Sequence, residues 1–297
     1  MRAIRTFAIV AVIAFLSSAA FAQRDFSKVE IKVTKVSGNV YMLEGSGGNI
    51  ALSVGDDGVF MVDDQFAELS PKVHAAIKSI TDKPVRFLVN THYHFDHTSG
   101  SSEWGKETTI LSAENLRKRL EAGSSVRGNV TPPAPKSALP VITFDSAITV
   151  HMNGEDIRVL HTPHGHTDGD SIAIFPKSNV VHMGDQVVTY GLPFVDTDGG
   201  GNLLGMIENV EKTMASLPDN VKIIPGHGPV LSKTDVKQYT EMLRDCIALV
   251  SAAVKKGKTL DQLKSEHVLA KYEDKGKGFV KTDEYIEMIY NDLKKTK

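Results

Sequence analysis

The sequence predicts an α/β (α+β) chain in which helices cover the outer faces of two β-sheets. Three observations lead there. Strand-like and helix-like hydrophobic periods interleave in both halves of the chain. Beyond residue 22 there is no linker, composition break or internal repeat, so residues 23–297 read as one domain. The composition, 41% hydrophobic and 24% charged over 297 residues, is that of a globular protein able to bury a core without disulfides. Interleaved elements of this kind bury their apolar faces most economically as stacked layers.

The first 22 residues are an address rather than part of the fold. Arg2 and Arg5 precede the apolar run Phe7–Leu16, and Ala20-Phe21-Ala22 stands as a cleavage pattern before Gln23. That is the layout of a secretory signal peptide, and the run is short of the ~20 residues that a membrane span needs. The expectation is a periplasmic or secreted protein with no membrane segment after cleavage.

Short β-like runs follow at Ile31–Val36, Val40–Leu43, Asn49–Val54 and Val59–Val62, punctuated by Gly38, Gly45–Gly48 and Gly55-Asp56-Asp57-Gly58. Ser70-Pro71 opens a helix whose apolar positions Val73, Ala76, Ile77 and Ile80 share one face. After Pro84, Val85–Val89 reads as a buried strand, and a second helix is expected from about Ser112 to Glu121. Residues 122–140, rich in proline and glycine, read as a long exposed loop. Further strands are expected at Ile157–His161, Ser171–Phe175, Val180–Met183 and Val221–Ile224, with a glycine-rich loop at Gly191–Gly201 and a helix from Leu203 to Leu217. The C-terminal third reads as helical over Thr234–Lys255, Leu260–His267 and Thr282–Lys294.

Composition excludes several functions. The chain has 34 basic and 36 acidic side chains, and cleavage would remove two arginines, taking the formal charge from −2 to −4. That balance argues against a nucleic-acid binder, as does the lack of a basic cluster with interleaved aromatics. The single cysteine, Cys246, permits no internal disulfide and no thiolate metal cage; its helical setting reads as buried packing.

The chemistry sits at the ends of strands. Val85–Val89 leads into Asn90-Thr91-His92-Tyr93-His94-Phe95-Asp96-His97, with three histidines and an aspartate inside six residues. Imidazole and carboxylate are the natural ligands for a first-row metal when thiolates are lacking. Packing has no use for four such groups at a strand mouth unless something pairs them. Three further ligand-type residues follow apolar runs beside glycine: His166 in Gly165-His166-Thr167-Asp168-Gly169, Asp185 after Gly184, and His227 in Gly226-His227-Gly228. His164 competes with His166. His161 reads as a satisfied histidine or a support behind the ligands, and His74, His151, His182 and His267 as structural or surface groups. Trp104, the only tryptophan, reads as packing rather than site lining.

In their order along the chain these motifs resemble those of the metallo-β-lactamase superfamily, over nearly all of the chain after the leader. The resemblance implies a four-layer αββα sandwich with a metal site at one edge of the two sheets. It implies His92, His94 and His166 as ligands of one metal, Asp96, His97 and His227 as ligands of a second, and Asp185 as the carboxylate between them. His166 is preferred over His164 because Thr167-x-Gly169 follows it. Asp63, in Phe60-Met61-Val62-Asp63, would support the metal loop from behind.

The implied cofactor is a pair of Zn2+ ions, with iron or manganese as substitutes, and the implied nucleophile is a hydroxide they share, with Asp96 orienting it or shuttling its proton. The expected activity is hydrolysis of an acyl bond (β-lactam, lactone, ester or thioester) in a small molecule. An aspartate at position 185, where antibiotic-cleaving branches usually carry cysteine, lowers the β-lactam reading. Val188, with the tyrosine displaced to Tyr190, lowers the lactonase reading. Leu192, Pro193 and Phe194 offer an apolar wall for substrate, and Lys255, Lys256, Lys258 and Lys264 read as a solvated helix face. The alternatives are an iron-dependent oxidoreductase on the same fold, resembling a persulfide dioxygenase, and a non-catalytic metal-binding protein.

Overall fold

The structure is a computed structural model that describes residues 25–295; the expected signal peptide lies outside the described residues. In chain order the elements are β1 (Lys32–Ser37), β2 (Val40–Glu44), β3 (Ile50–Gly55), β4 (Gly58–Val62), α1 (Ser70–Lys78), β5 (Val85–Val89), α2 (Phe95–Thr98), α3 (Ser101–Trp104), β6 (Thr109–Ala113), α4 (Glu114–Ala122), β7 (Ser124–Val126), β8 (Asn129–Thr131) and β9 (Ile142–Phe144). Then come β10 (Ala147–Met152), β11 (Glu155–His161), β12 (Ser171–Phe175), β13 (Val180–His182), α5 (Leu203–Ala215), β14 (Lys222–Ile224), α6 (Lys233–Lys255), α7 (Leu260–Ser265) and α8 (Thr282–Lys295).

Two sheets carry the fold. The first runs in the order β1-β2-β3-β4-β5-β6-β9 and the second in the order β10-β11-β12-β13-β14. In the first, β1 to β4 are antiparallel neighbours, and β4, β5, β6 and β9 are parallel. In the second, only the β13–β14 pair is parallel.

Alternation of side chains explains the layering. In β4, Phe60 and Val62 face the second sheet with Met42, Val89, Leu111, Val159 and Phe175, whereas Val59 and Met61 face the opposite way with Val73, Ile77 and Leu88. β4 is therefore buried at every position, as a strand covered on both faces must be. The Phe60 and Phe175 rings meet edge to face across the gap, 6.3 Å apart. On the far side of the second sheet, Val181 and Ile223 pack with Met206, Ile207, Val210, Leu243, Val250, Tyr285 and Ile286 from α5, α6 and α8. The order is helix, sheet, sheet, helix, the four-layer sandwich expected from the sequence.

Local signals set the long helices. A capping box at Ser232 and Asp235 starts α6, and another at Thr259 and Gln262 starts α7. Cys246 is buried in α6, and burial pushes its thiol up to about 12, consistent with packing.

Four departures from the sequence reading are informative. The helix expected from Ser112 starts at Glu114, because Thr109–Ala113 forms strand β6, between β5 and β9, and no glycine or proline separates strand from helix. Strands β9 and β10 went unread. The single turns α2 and α3 are too short to show a period. The stretch 122–140 is not wholly loop: it carries the small hairpin β7–β8 and a turn of 3-10 helix over Lys136–Ala138. Among the described residues no helix is long and apolar enough to cross a membrane.

Candidate metal centre

The candidate ligands lie where strands end. His92, His94, Asp96 and His97 follow the C-terminal end of β5; Asp185 follows β13 and His227 follows β14, while His166 sits in the loop from β11 to β12. β4 and β13 lie beside β5 and β14 with parallel register, so their carboxyl ends open on the same side as those of their partners. The edges of the two sheets are tied together there. Asn49 Nδ2 donates to the carbonyls of Pro225 (2.9 Å) and Gly228 (2.8 Å), and His182 Nε2 donates to Asn49 O at 2.9 Å.

Each imidazole of the first cluster is held by one nitrogen, which leaves the other free. His166 Nδ1 lies 2.8 Å from Phe194 O; a carbonyl only accepts, so Nδ1 carries the proton and Nε2 a lone pair. His94 Nε2 donates to Asp196 Oδ2 at 3.0 Å, which leaves Nδ1. The Thr91 hydroxyl gives its proton to Asp63 (2.8 Å) and accepts from His92 Nδ1 (3.1 Å), which leaves His92 Nε2 buried with no hydrogen-bond partner. One ligand atom from each of the three histidines lies within 4.8 Å of the others, and His166 Nε2 faces His94 Nδ1 at 2.9 Å. Burial, with neighbouring histidines, pushes the His92 pKa well below its ordinary value, and burial pushes that of His166 to about 4. Buried, unprotonated nitrogens aimed at one another fit a metal cation and little else.

The second cluster is acidic. His97 Nδ1 donates to Asp63 Oδ2 at 2.7 Å, so Asp63 stands behind the ligands as the family resemblance implied. His97 Nε2 lies 3.3 Å from His227 Nε2 and 4.0 Å from Asp96 Oδ2, and His227 Nε2 lies 3.3 Å from Asp96 Oδ2. Burial opposes charge on both rings, yet the carboxylates around them prevail. Asp185, Asp63 and Asp96 hold the His97 pKa well above the ordinary value, and Asp185 and Asp96 raise that of His227 to about 9.

Asp185 reaches both clusters. Its Oδ1 lies 3.1 Å from His97 Nε2 and 3.5 Å from His227 Nε2, and its Oδ2 lies 3.9 Å from His166 Nε2. Two glycines make room. A Cβ on Gly226 would collide with the Asp185 carboxylate, and one on Gly48 with the His97 ring.

All seven candidate ligands therefore come together. The rival His164 is exposed, in a left-handed turn at φ +56°, whereas His166 is buried in the cluster. His161 bridges the carbonyls of Asp145 (2.7 Å) and Asp168 (3.0 Å). Trp104 is buried under α1, its ring stacked on His74 at 3.9 Å and part of a separate core cluster. Leu192 is wholly buried in the core, and of the expected apolar wall only the Phe194 ring reaches the site, 6.0 Å from His94 and 5.9 Å from His166.

Sequence reasoning missed Asp196, which holds His94 and also accepts from the Tyr93 hydroxyl. Burial works against its charge, but hydrogen bonds from His94 and Tyr93 hold its pKa at about 2. No ligand spacing marks Asp196, because its role is to accept from a ring rather than to face a metal. Arg119 is a further support: it clamps Asp168, two residues after His166, through two nitrogens at 2.7 and 3.2 Å.

Comparison with known proteins identifies the family. The model of the metallo-beta-lactamase superfamily matches residues 33–227. A probable metallo-hydrolase of Methanocaldococcus jannaschii is 29% identical over 207 residues, 65% of this chain and 89% of its own. A linear primary-alkylsulfatase of a Pseudomonas species is 25% identical over 252 residues, 70% of this chain, which spans only 47% of the sulfatase. Among solved structures, a metallo-beta-lactamase from Pontibacter korlensis superposes with a TM-score of 0.61 at 17% identity, over 72% of this chain and 99% of its own.

Proposed function

The chain belongs to the metallo-beta-lactamase superfamily and is a metal-dependent hydrolase; on that footing we propose that it uses two divalent cations, zinc by preference, to cleave an acyl bond of a small molecule. The observation that carries this reading is Asp185, whose two oxygens face the two separate clusters of unprotonated or acid-paired histidines. One cation fits His92, His94 and His166; a second fits Asp96, His97 and His227.

When bound, the cations supply Lewis acidity toward the substrate oxygen and make water a nucleophile near neutral pH. The protein does the rest. Asp63, Asp196, Thr91 and the Phe194 carbonyl fix which nitrogen of each ring faces the cleft, so the site needs no reorganisation when substrate arrives. Asp96 is the more exposed acid of the cluster, and although burial opposes it, the charges of His97 and His227 keep it ionised, its pKa lowered to about 2. Such a carboxylate is too weak a base to store a proton at pH 7, but it accepts a hydrogen bond and orients the attacking water. One water adds across the bond: its oxygen joins the acyl carbon, and its two protons end on the departing nitrogen, oxygen or sulfur and in solvent as the acid ionises.

The β-lactam, lactone, ester and thioester readings share this chemistry. A sulfate ester is the second reading, supported by the sequence likeness to the alkylsulfatase. The proposal takes residues 23–297 as one domain and places it in the periplasm or outside the cell, on the strength of the leader sequence alone.

The test is a hydrolysis panel of β-lactams, lactones, aryl esters, thioesters, sulfate esters and phosphate esters. It is run on zinc-loaded protein beside protein stripped with a chelator. The expected result is turnover of one acyl class that stripping abolishes and zinc restores. Turnover of sulfate esters alone would replace the acyl reading with the second one. Tightly held iron together with oxygen consumption would overturn both.

A further inference from the structure

We propose that Phe279, Phe194 and Arg127 form a specificity wall over the metal cleft, and that the substrate carries a planar aromatic group close to the bond it loses. The inference deepens the acyl-hydrolase reading and rests on it.

Phe279 comes from the segment before α8, well beyond residue 227, yet its ring packs against two rings that adjoin the candidate ligands. Tyr190 and Phe279 meet edge to face at 5.9 Å, and Phe279 and Phe194 do so at 6.2 Å. The two ends of this row of rings reach the two ligand clusters. Tyr190 lies 5.6 Å from the His227 ring, and Phe194 lies about 6 Å from the rings of His94 and His166. The middle ring, Phe279, is 56% exposed, an open aromatic surface beside the chemistry.

Arg127 sets how that surface is read. Its guanidinium lies 4.6 Å from the Phe279 centroid and 5.5 Å from that of Phe194. It is not free to recruit an anion, because its two terminal nitrogens pair with the two oxygens of Glu284 at 2.9 and 3.0 Å. The cation that faces the exposed Phe279 ring is therefore already matched, and the wall selects a flat aromatic group by its ring faces and edges rather than by a free charge.

The wall is also built to hold still. Arg127 and Gly128 form the two-residue turn of the β7–β8 hairpin, both left-handed at φ +52° and +80°. Such turns favour Asn-Gly, so an arginine there is held by what its side chain touches. On the other side, Leu192 N donates to Lys275 O at 3.2 Å. Gly191, at φ +122°, lies so close to that carbonyl, and Gly278 so close to Tyr190 O, that a Cβ at either would collide.

The test is binding of phenylacetate, hexanoate and acetate to the zinc-loaded full-length protein by calorimetry, in the natural chain and in Phe279→Ala, Phe279→Tyr and Arg127→Ala, each checked for unchanged metal content. Phenylacetate is expected to bind about tenfold more tightly than acetate, with hexanoate between them. Phe279→Ala should erase most of that ratio, Phe279→Tyr should keep it, and Arg127→Ala should reduce it severalfold. Equal gains for hexanoate and phenylacetate, or a ratio indifferent to Phe279→Ala, would overturn the wall. Failure of the acyl-hydrolase reading looks different: a protein that prefers phenylacetate through Phe279 yet cleaves no acyl compound leaves the wall standing and removes that reading.

Discussion

The two ligand clusters use similar residues and are held in different electrical states. Around His92, His94 and His166 the supports fix the tautomers, and His92 and His166 are held neutral. Around His97 and His227 the supports are carboxylates, and without a cation both rings carry protons. The first cluster offers lone pairs; the second exchanges protons for a cation. This difference teaches that the first site depends on where the rings point and the second on pH.

The largest break in the comparison is His92→Ala. His92 groups with His94 and His166 and also with His97 and Asp185, so its loss should strip metal from both sites and abolish turnover, measured by elemental analysis and rate. Asp96→Ala should likewise remove activity, with metal lost from the second site first. A smaller effect is expected from Asp196→Asn, which leaves every ligand in place but loosens His94. Metal affinity or activity should fall about 10–100-fold, and the deficit should lie in the first site.

The pH prediction sharpens the contrast. His227 has a folded pKa of about 9, so below pH 9 a cation entering the second cluster must displace a proton. Its affinity should rise about tenfold per pH unit per proton displaced as pH increases toward 9. In the first cluster His92 and His166, both lowered, the latter to about 4, should release almost no protons on metal binding between pH 6 and 8. Stepwise zinc titrations at pH 6, 7 and 8, with proton release recorded, would separate the two.

Asp64 gives the smallest effect, and it acts on stability. It is buried behind Asp63, accepting from Ser101 and from Asn90 Nδ2 at 3.1 Å, and burial pushes its pKa to about 8. Between about pH 4 and 8 the folded state then holds a proton that the unfolded state has lost, so Asp64 lowers stability as pH rises through that window. Asp64→Asn should flatten that slope in denaturant unfolding at pH 5 and pH 8.

What the sequence made legible follows the same physics. Ligands had to be His or Asp at strand ends, four of them crowd into six residues and three more stand beside glycine, and the family resemblance then set the seven roles and chose His166 over His164. Supports are chosen for reach, not type. Thr91, the Phe194 carbonyl and Asp196 sit in loops without period or spacing, and only folding shows what they touch. The same holds for Phe279 and Arg127, which lie about 150 residues apart in sequence and meet ring to cation. Strand β4 was legible because both its faces are covered, whereas β6 was merged with the helix it abuts at Ala113 and Glu114, and the short, mostly exposed β9 shows no apolar run.

The proposed chemistry requires these seven side chains to hold two cations side by side. Anomalous diffraction at the zinc edge, from crystals of the zinc-loaded protein, tests it directly. The expected result is two peaks about 3.5–4 Å apart, one among His92, His94 and His166, the other among Asp96, His97 and His227, with Asp185 touching both. Crystals with no peak there in saturating zinc, or with zinc bound only elsewhere on the surface, would contradict it.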